Sequence, residues 1–166
     1  MYSTNEIFAK MPDPIAAQLF TQMGENRKDF INEVIDHLAS QRKLRPIFVQ
    51  RKPRDERFAW MKEALARKQN EGMSAHLLQI WLVSAHSKLL CDFLDGLGIP
   101  HDGEGTIAEL PKAPAKPKLA EVVNGLLKKH DPAVVAIYLH AFQATDDKGG
   151  WKTLEELLKE EPRLKL

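Results

Sequence analysis

Basic residues crowd one short stretch of this sequence, between Arg42 and Arg57. Seven basic side chains meet only two acidic ones there, so the stretch carries a local net charge of +5 in a chain whose net charge is +1. Arginine and lysine side chains contact phosphates, and an exposed aromatic ring can stack on a base. One hypothesis is therefore a nucleic-acid-binding surface made of Phe48 and the basic side chains of Arg42, Lys43, Arg45, Arg51, Lys52, Arg54 and Arg57.

The same stretch has a purely structural interpretation, which we favour. Ile47, Phe48 and Val49 form an apolar run that could be a turn of helix packed into the core, with the arginines solvating its rim. One aromatic residue is a poor stacking platform, and a basic cluster without a known motif is weak evidence for nucleic acid. The nucleic-acid hypothesis loses its basis if internal carboxylates pair with Arg51, Arg54 and Arg57.

Cys91 is the candidate nucleophile, and His86 and His140 are its candidate bases. A thiol and an imidazole brought together by folding could form a catalytic pair. A free cysteine among leucines more often behaves as a small hydrophobe, and buried histidines commonly bind backbone groups or a carboxylate. The histidines lack the i, i+4 spacing of a helical zinc site, and the common nucleotide-binding, metalloprotease and esterase motifs are absent from the sequence. We therefore predict no metal and no cofactor, and an enzyme with a Cys/His site ranks below a binding protein.

Acidic residues dominate the middle of the chain. From Met73 to Leu110 there are five acidic residues and one basic residue, Lys88, which gives this part a net charge of −4. The simplest use of such asymmetry is internal pairing with the basic stretch or with the lysines near Pro114. Its other use is to orient a partner, because complementary charge sets orientation and association rate more readily than affinity.

Composition favours one globular domain in a reducing compartment. The chain has 166 residues, 43% of them hydrophobic, which is enough for one proper core. Its 24 basic and 23 acidic residues nearly cancel, so any electrostatic recognition must be local. The single cysteine excludes an internal disulfide, and no stretch has the composition of a secretory signal or a membrane span. We expect a cytoplasmic protein that does not associate with membranes.

Helical periodicity appears in nearly every segment, so the predicted fold is all-α, a single-domain bundle of about seven main helices. A helix over 74–97 is apolar around nearly its whole circumference, which predicts a central, buried element, and Gly98 followed by Pro100 ends it. Segment 99–118 is rich in proline and glycine and is the predicted hinge. It separates an N-terminal helical part, 1–98, from C-terminal helices over 119–166 that pack on the same core.

These features favour a non-enzymatic protein-interaction or scaffold module. A groove between amphipathic helices would accept a helix of a partner protein or an identical subunit, with the basic stretch and the acidic middle fixing the orientation. The alternatives are a nucleic-acid-binding protein that uses segment 42–57 and, below it, a small enzyme that uses Cys91.

Overall fold

The computed structural model describes residues 1–145 and 150–166, and it confirms the all-α prediction. About three quarters of the described residues (74%) are helical, and none of them lies in a strand. Residues 146–149, inside the predicted C-terminal part 119–166, lie outside the described residues. The predicted count of about seven main helices is not confirmed. The described α-helices are α1 Thr4–Lys10, α2 Asp13–Asn26, α3 Lys28–Gln41, α4 Pro46–Gln50, α5 Arg54–Leu65, α6 Glu71–Ala85, α7 Ser87–Leu97, α8 Lys116–Lys129, α9 Pro132–Ala144 and α10 Lys152–Glu160.

The backbone contacts divide the chain into two compact units. The N-terminal unit is Thr4–Trp81, and the C-terminal unit combines Met1–Ser3 with Leu82–Leu166. The division falls within α6, whereas composition placed the boundary in segment 99–118. That the whole chain forms one domain stays a prediction.

The prediction of one continuous helix over 74–97 is wrong, because the helix is interrupted at His86. There α6 ends, the backbone of His86 leaves helical geometry (φ −129°, ψ 26°), and α7 begins. At about 100° per residue, the buried side chains of α6 and those of α7 would point roughly 120° apart on one continuous helix. Two helices that bury differently placed faces therefore lie where the sequence pattern predicted one helix buried all round. The buried residues are Ser74, Leu77, Leu78, Trp81 and Leu82 in α6, and Leu89, Leu90, Phe93 and Leu94 in α7.

In the N-terminal unit, α2, α3 and α5 pack against one another, and α1 packs on α5. One face of α3 is apolar and buried. Polar groups inside this unit are satisfied by specific partners. The Ser74 hydroxyl donates to the carbonyl of Leu65 (2.6 Å), and the Trp81 indole donates to the Gln22 side chain (2.8 Å). The core of this unit includes Ile7, Phe8, Leu19, Phe20, Met23, Val34, Leu38, Val49, Met61 and Leu65.

In the C-terminal unit, α9 is the helix that is surrounded on nearly all sides. Phe93 of α7 meets Tyr138 and Phe142 of α9 edge to face, with ring centroids 5.5 and 5.2 Å apart. The Trp151 ring lies 4.9 Å from that of Phe142. Aromatic pairs in this geometry add to the energy of apolar burial. The residues of α9 from Val134 to His140 are all buried.

The proline-rich segment 99–118 is fastened to the C-terminal unit by hydrogen bonds. The indole of Trp151 donates to the carbonyl of Pro111 (2.8 Å), and the Thr153 hydroxyl donates to that of Pro114 (3.4 Å). Lys116, at its end, pairs with Glu160 (2.8 Å). Gly98 adopts the left-handed conformation (φ 70°) predicted for the end of the preceding helix. The segment predicted to be a hinge therefore has its backbone anchored at several points.

Candidate docking surface

The basic stretch 42–57, the basic elbow hereafter, joins α3 to α5 through the short helix α4 within the N-terminal unit. Lys43 leaves α3 in the left-handed conformation (φ 55°), and the amide of Leu44 reaches back to the carbonyl of Ala39 (2.8 Å). Pro46 opens α4, where its fixed φ suits a first helical turn. Two changes of chain direction thus place α4 between two long helices.

The packing predicted for the apolar run of the elbow is wrong at two of its three positions. Val49 is fully buried, but Ile47 is 42% exposed and Phe48 is 55% exposed. Successive residues of a helix point about 100° apart, so one turn that lies on a core can turn only part of such a run inward. Leu44 is 38% exposed as well. Three large apolar side chains, those of Leu44, Ile47 and Phe48, are thus exposed within five consecutive residues, and we refer to them as the apolar patch.

Two cations of the elbow are held by carboxylates and by an aromatic ring. Arg42 pairs with Glu63 (3.2 Å), and Lys52 pairs with Glu56 (3.0 Å). Both cations lie over the ring of Trp60, with the Arg42 guanidinium carbon 3.7 Å and the Lys52 ammonium 4.4 Å from its centroid. A cation over an indole face is stabilised by the negative potential of the ring. Arg42 and Lys52 therefore serve the structure of the elbow.

Arg54 and Arg57 are held by neutral oxygens. The Arg54 guanidinium donates to the Thr21 hydroxyl (2.9 Å), and that of Arg57 donates to the carbonyls of Gln50 and, at the limit of hydrogen-bond length, Lys52 (3.1 and 3.5 Å). Both guanidiniums lie within 5.6 Å of the centroid of the Phe58 ring. Within the described chain neither forms a carboxylate pair, so their positive charges stay uncompensated.

The remaining cations of the elbow, Lys43, Arg45 and Arg51, are exposed. None of them forms an ion pair or a side-chain hydrogen bond with another described residue. The condition that would have removed the nucleic-acid hypothesis, carboxylate pairing of Arg51, Arg54 and Arg57, is therefore not met. The elbow combines an exposed apolar patch with exposed, unpaired positive charge.

A groove of about 350 Å³ opens beside the elbow in the same unit. It lies between side chains of α2, α3, α4 and α5, and no sequence pattern indicated it because its walls come from four separate helices. Gly24 contributes to the wall, and a Cβ atom there would meet nothing within 4 Å. Among the described residues that line the groove there is no carboxylate. The apolar lining is Phe20, Ile31, Ile35, Phe58 and Met61, and the cationic lining is Lys28, Arg54 and Arg57.

The candidate catalytic residues make other contacts in the C-terminal unit. Within the described chain, the Cys91 thiol contacts the carbonyl of Gly103 (3.4 Å) rather than a histidine. Burial and the nearby carboxylates of Asp95 and Asp102 raise the pKa of the Cys91 thiol, whereas an activated nucleophile needs a lowered one. His140 donates through Nε2 to the carbonyl of Leu164 (2.9 Å), a contact of a structural histidine.

His86 lies in the break between α6 and α7. Burial lowers its pKa, and the proximity of His130 lowers it further, so His86 is neutral at physiological pH. This burial at a helix break is typical of a structural histidine. These contacts do not support a catalytic site built on Cys91 with His86 or His140.

Acidic residues of the middle segment find partners within the C-terminal unit. Asp92 pairs with Lys88 (3.2 Å) and accepts from the His130 ring (2.9 Å), while Asp95 pairs with the His101 ring (2.8 Å). Hydrogen bonds, the largest from the Thr106 hydroxyl, lower the pKa of Asp102 to about 2. These partners are local and differ from the basic stretch and the lysines near Pro114, with which the sequence predicted internal pairing. Across the described chain, no three His, Cys, Asp or Glu side chains gather where they could hold a metal ion.

No single helix of the described chain is both long enough and apolar enough to span a membrane. Helices α6 and α7, taken together with the turn before α6, meet both criteria, but the chain is bent between them. Comparisons with protein-family models, with curated proteins and with solved structures find no match for this chain.

Proposed function

We propose that this protein is a non-enzymatic interaction module that docks another protein, or a second copy of itself, on the basic elbow. The apolar patch carries this proposal. Among the described residues, only four large apolar side chains are exposed, and three of them, Leu44, Ile47 and Phe48, fall within five consecutive positions. Clustered apolar exposure beside polar residues is typical of interaction surfaces, whereas single exposed hydrophobes are ordinary.

The two parts of the surface would have different roles. Phe48 and Ile47 would supply affinity, because a partner that covers them removes apolar surface from water. Lys43, Arg45 and Arg51 would orient an acidic partner and speed its approach, because exposed charges act mainly on association rate and specificity. We place this activity in the cytoplasm, since a chain with one free cysteine suits a reducing compartment.

Static light scattering of the purified protein separates a second copy from a different partner. A dimer that dissociates when Ile47 and Phe48 are both replaced by serine supports docking on the elbow through self-association. If the protein is monomeric, capture from a cell extract followed by reconstitution with the purified partner tests the other form of the proposal. Retention of the partner by the Ile47→Ser/Phe48→Ser variant at unchanged affinity would overturn the proposal.

The second candidate function is nucleic-acid binding, and the exposure of Phe48 favours it. Phe48 is 55% exposed, and the exposed cations Arg45 and Arg51 flank it in the sequence, a combination that stacking on a base with phosphate contacts would use. Anisotropy of labelled single-stranded and duplex oligonucleotides at about 50 and 200 mM salt tests it, because phosphate contacts weaken steeply over that range.

A charge-reversal pair localises any such binding. The variant Lys43→Glu/Arg45→Glu/Arg51→Glu should lose it. The variant Lys112→Glu/Lys128→Glu/Lys129→Glu makes the same charge change at exposed positions of the C-terminal unit and should keep it. Absence of binding at low salt, or equal loss in both variants, removes the elbow as a nucleic-acid site.

A further inference from the structure

The groove beside the elbow has an apolar floor and a cationic rim. Phe20, Ile31, Ile35 and Met61 are mostly buried and form the floor, while the ring of Phe58 remains partly exposed. Lys28, Arg54 and Arg57 line the rim. A cavity of this character accepts an apolar side chain and, at its edge, an anionic group.

The two arginines of the rim are anchored and still able to donate. Arg54 uses one donor for Thr21, and Arg57 uses Nη1 for backbone carbonyls. A guanidinium has five N–H donors, so donors remain on both. Their contacts and the Phe58 ring restrict both groups, which lowers the entropy lost when an anion binds. Lys28, exposed at the start of α3, adds a third positive charge that no described carboxylate neutralises.

We propose that the groove binds an acidic, apolar segment of a partner protein, with a carboxylate on Arg54 and Arg57 and a neighbouring apolar side chain against Phe58. This inference rests on the proposed function and names the chemistry of its partner. The charge complementarity argues for it, because a guanidinium commonly binds a carboxylate through two parallel hydrogen bonds. The lining of the groove argues against a nucleic acid, because Phe58 is its one aromatic ring with exposed area. Stacking of successive bases needs several exposed rings.

A displayed library of random peptides, selected on the protein, tests the proposed chemistry of the partner. We expect the enriched peptides to combine Asp or Glu with Leu, Ile or Phe. Anisotropy of a labelled enriched peptide should show binding that falls about tenfold or more with Arg54→Glu. Enrichment of uncharged or basic peptides, or of none, would overturn the inference.

A second variant tests the position of the peptide without altering charge. Gly24 lies on α2 with open space beyond its Cβ position, so Gly24→Met should fill the groove while the helix stays intact. We expect it to lower peptide affinity about tenfold or more. Gly125→Met is the matched control, because Gly125 lies on α8 of the other unit and also has open space beyond it. Equal affinity for wild type and Gly24→Met would overturn the inference.

The outcomes separate this inference from the proposed function. Loss of partner binding in Ile47→Ser/Phe48→Ser with no acidic peptide bound in the groove leaves the function standing and overturns the inference. If an oligonucleotide competes with the peptide for the wild-type protein but no longer does so for Gly24→Met, the groove would be assigned to nucleic acid instead. Dimerisation that Gly24→Met blocks would assign it to a second copy of this chain, again against the inference.

Discussion

Two neighbouring residues of α4 should respond oppositely to truncation, and the contrast tests whether the apolar patch exists. Val49 is fully buried and Phe48 is 55% exposed, although both lie on the same five-residue helix. Val49→Ala removes two methyl groups from the core of the N-terminal unit. Phe48→Ala removes a ring whose larger part already lies in water. The apolar run by itself predicts that both side chains are inside.

The magnitudes follow from burial. Each buried methyl group contributes about 0.8 kcal/mol, and the residual cavity adds to that, so Val49→Ala should lower the free energy of unfolding by about 2 to 3 kcal/mol. Phe48→Ala loses the partial contact of the ring but gains helix propensity, so its change should stay within about 1 kcal/mol of zero. The larger residue should therefore have the smaller effect.

Urea unfolding measures both values. With a denaturant slope of about 2 kcal/mol per molar, Val49→Ala should lower the midpoint by about 1 M. Far-ultraviolet circular dichroism and tryptophan emission should be recorded together, because coincident curves support a two-state analysis. If Phe48→Ala costs as much as Val49→Ala, the ring is part of the core. Leu44, Ile47 and Phe48 would then not form a docking surface.

Three further outcomes are expected in the C-terminal unit. Burial lowers the pKa of His140. The contribution of the neutral ring to the free energy of unfolding is therefore present above its unfolded pKa of about 6.5. It is lost as pH falls below that value, by at most about 1.4 kcal/mol per pH unit. His140→Gln keeps a donor for Leu164 and should flatten that part of the stability profile; an unchanged slope would contradict the assignment. Iodoacetamide should alkylate native Cys91 more slowly than a free cysteine at neutral pH, because its thiol pKa is raised, and faster reaction would restore the nucleophile hypothesis. Gly105→Ala should destabilise the unit by more than about 2 kcal/mol, since φ is +90° and a Cβ would collide with the side chain of Leu90, whereas Gly103→Ala has open space at a similar φ and should cost less.

Local chemistry made the helical class and several helix ends predictable. Asp131 and Pro132 form an Asp-Pro pair, which favours the start of a helix, and the carboxylate of Asp131 caps α9 by accepting from the amide of Ala133 (2.8 Å). The similar pair at Asp13 behaves differently, because its carboxylate pairs with Lys62, 49 residues away (2.7 Å), and shows no side-chain cap bond. The type of a side chain limits the contacts it can make, and the fold decides which partner it meets.

The candidate site was only partly predictable for the same reason. The positive charge of the site can be counted along the chain. Tertiary contacts, however, decide that Arg42 meets a carboxylate and that Arg51 does not. The groove arises where four helices meet, so no local pattern of residues indicates it. The exposure of Phe48 depends on which side of α4 faces the core, and one turn of helix has too few residues to show a period.

At the end of α3, an exposed positive charge comes with a conformational cost. Helices α3 and α7 close with the same pair of backbone hydrogen bonds, made by residues 43 and 44 at one end and by 98 and 99 at the other. Gly98 occupies the left-handed position in α7 without strain, but Lys43 occupies it in α3 at a conformational cost of about 1 kcal/mol. A glycine at position 43 would relieve that cost and remove an unpaired cation from the surface. The ending of α3 therefore combines a less stable local conformation with a positive charge in solvent.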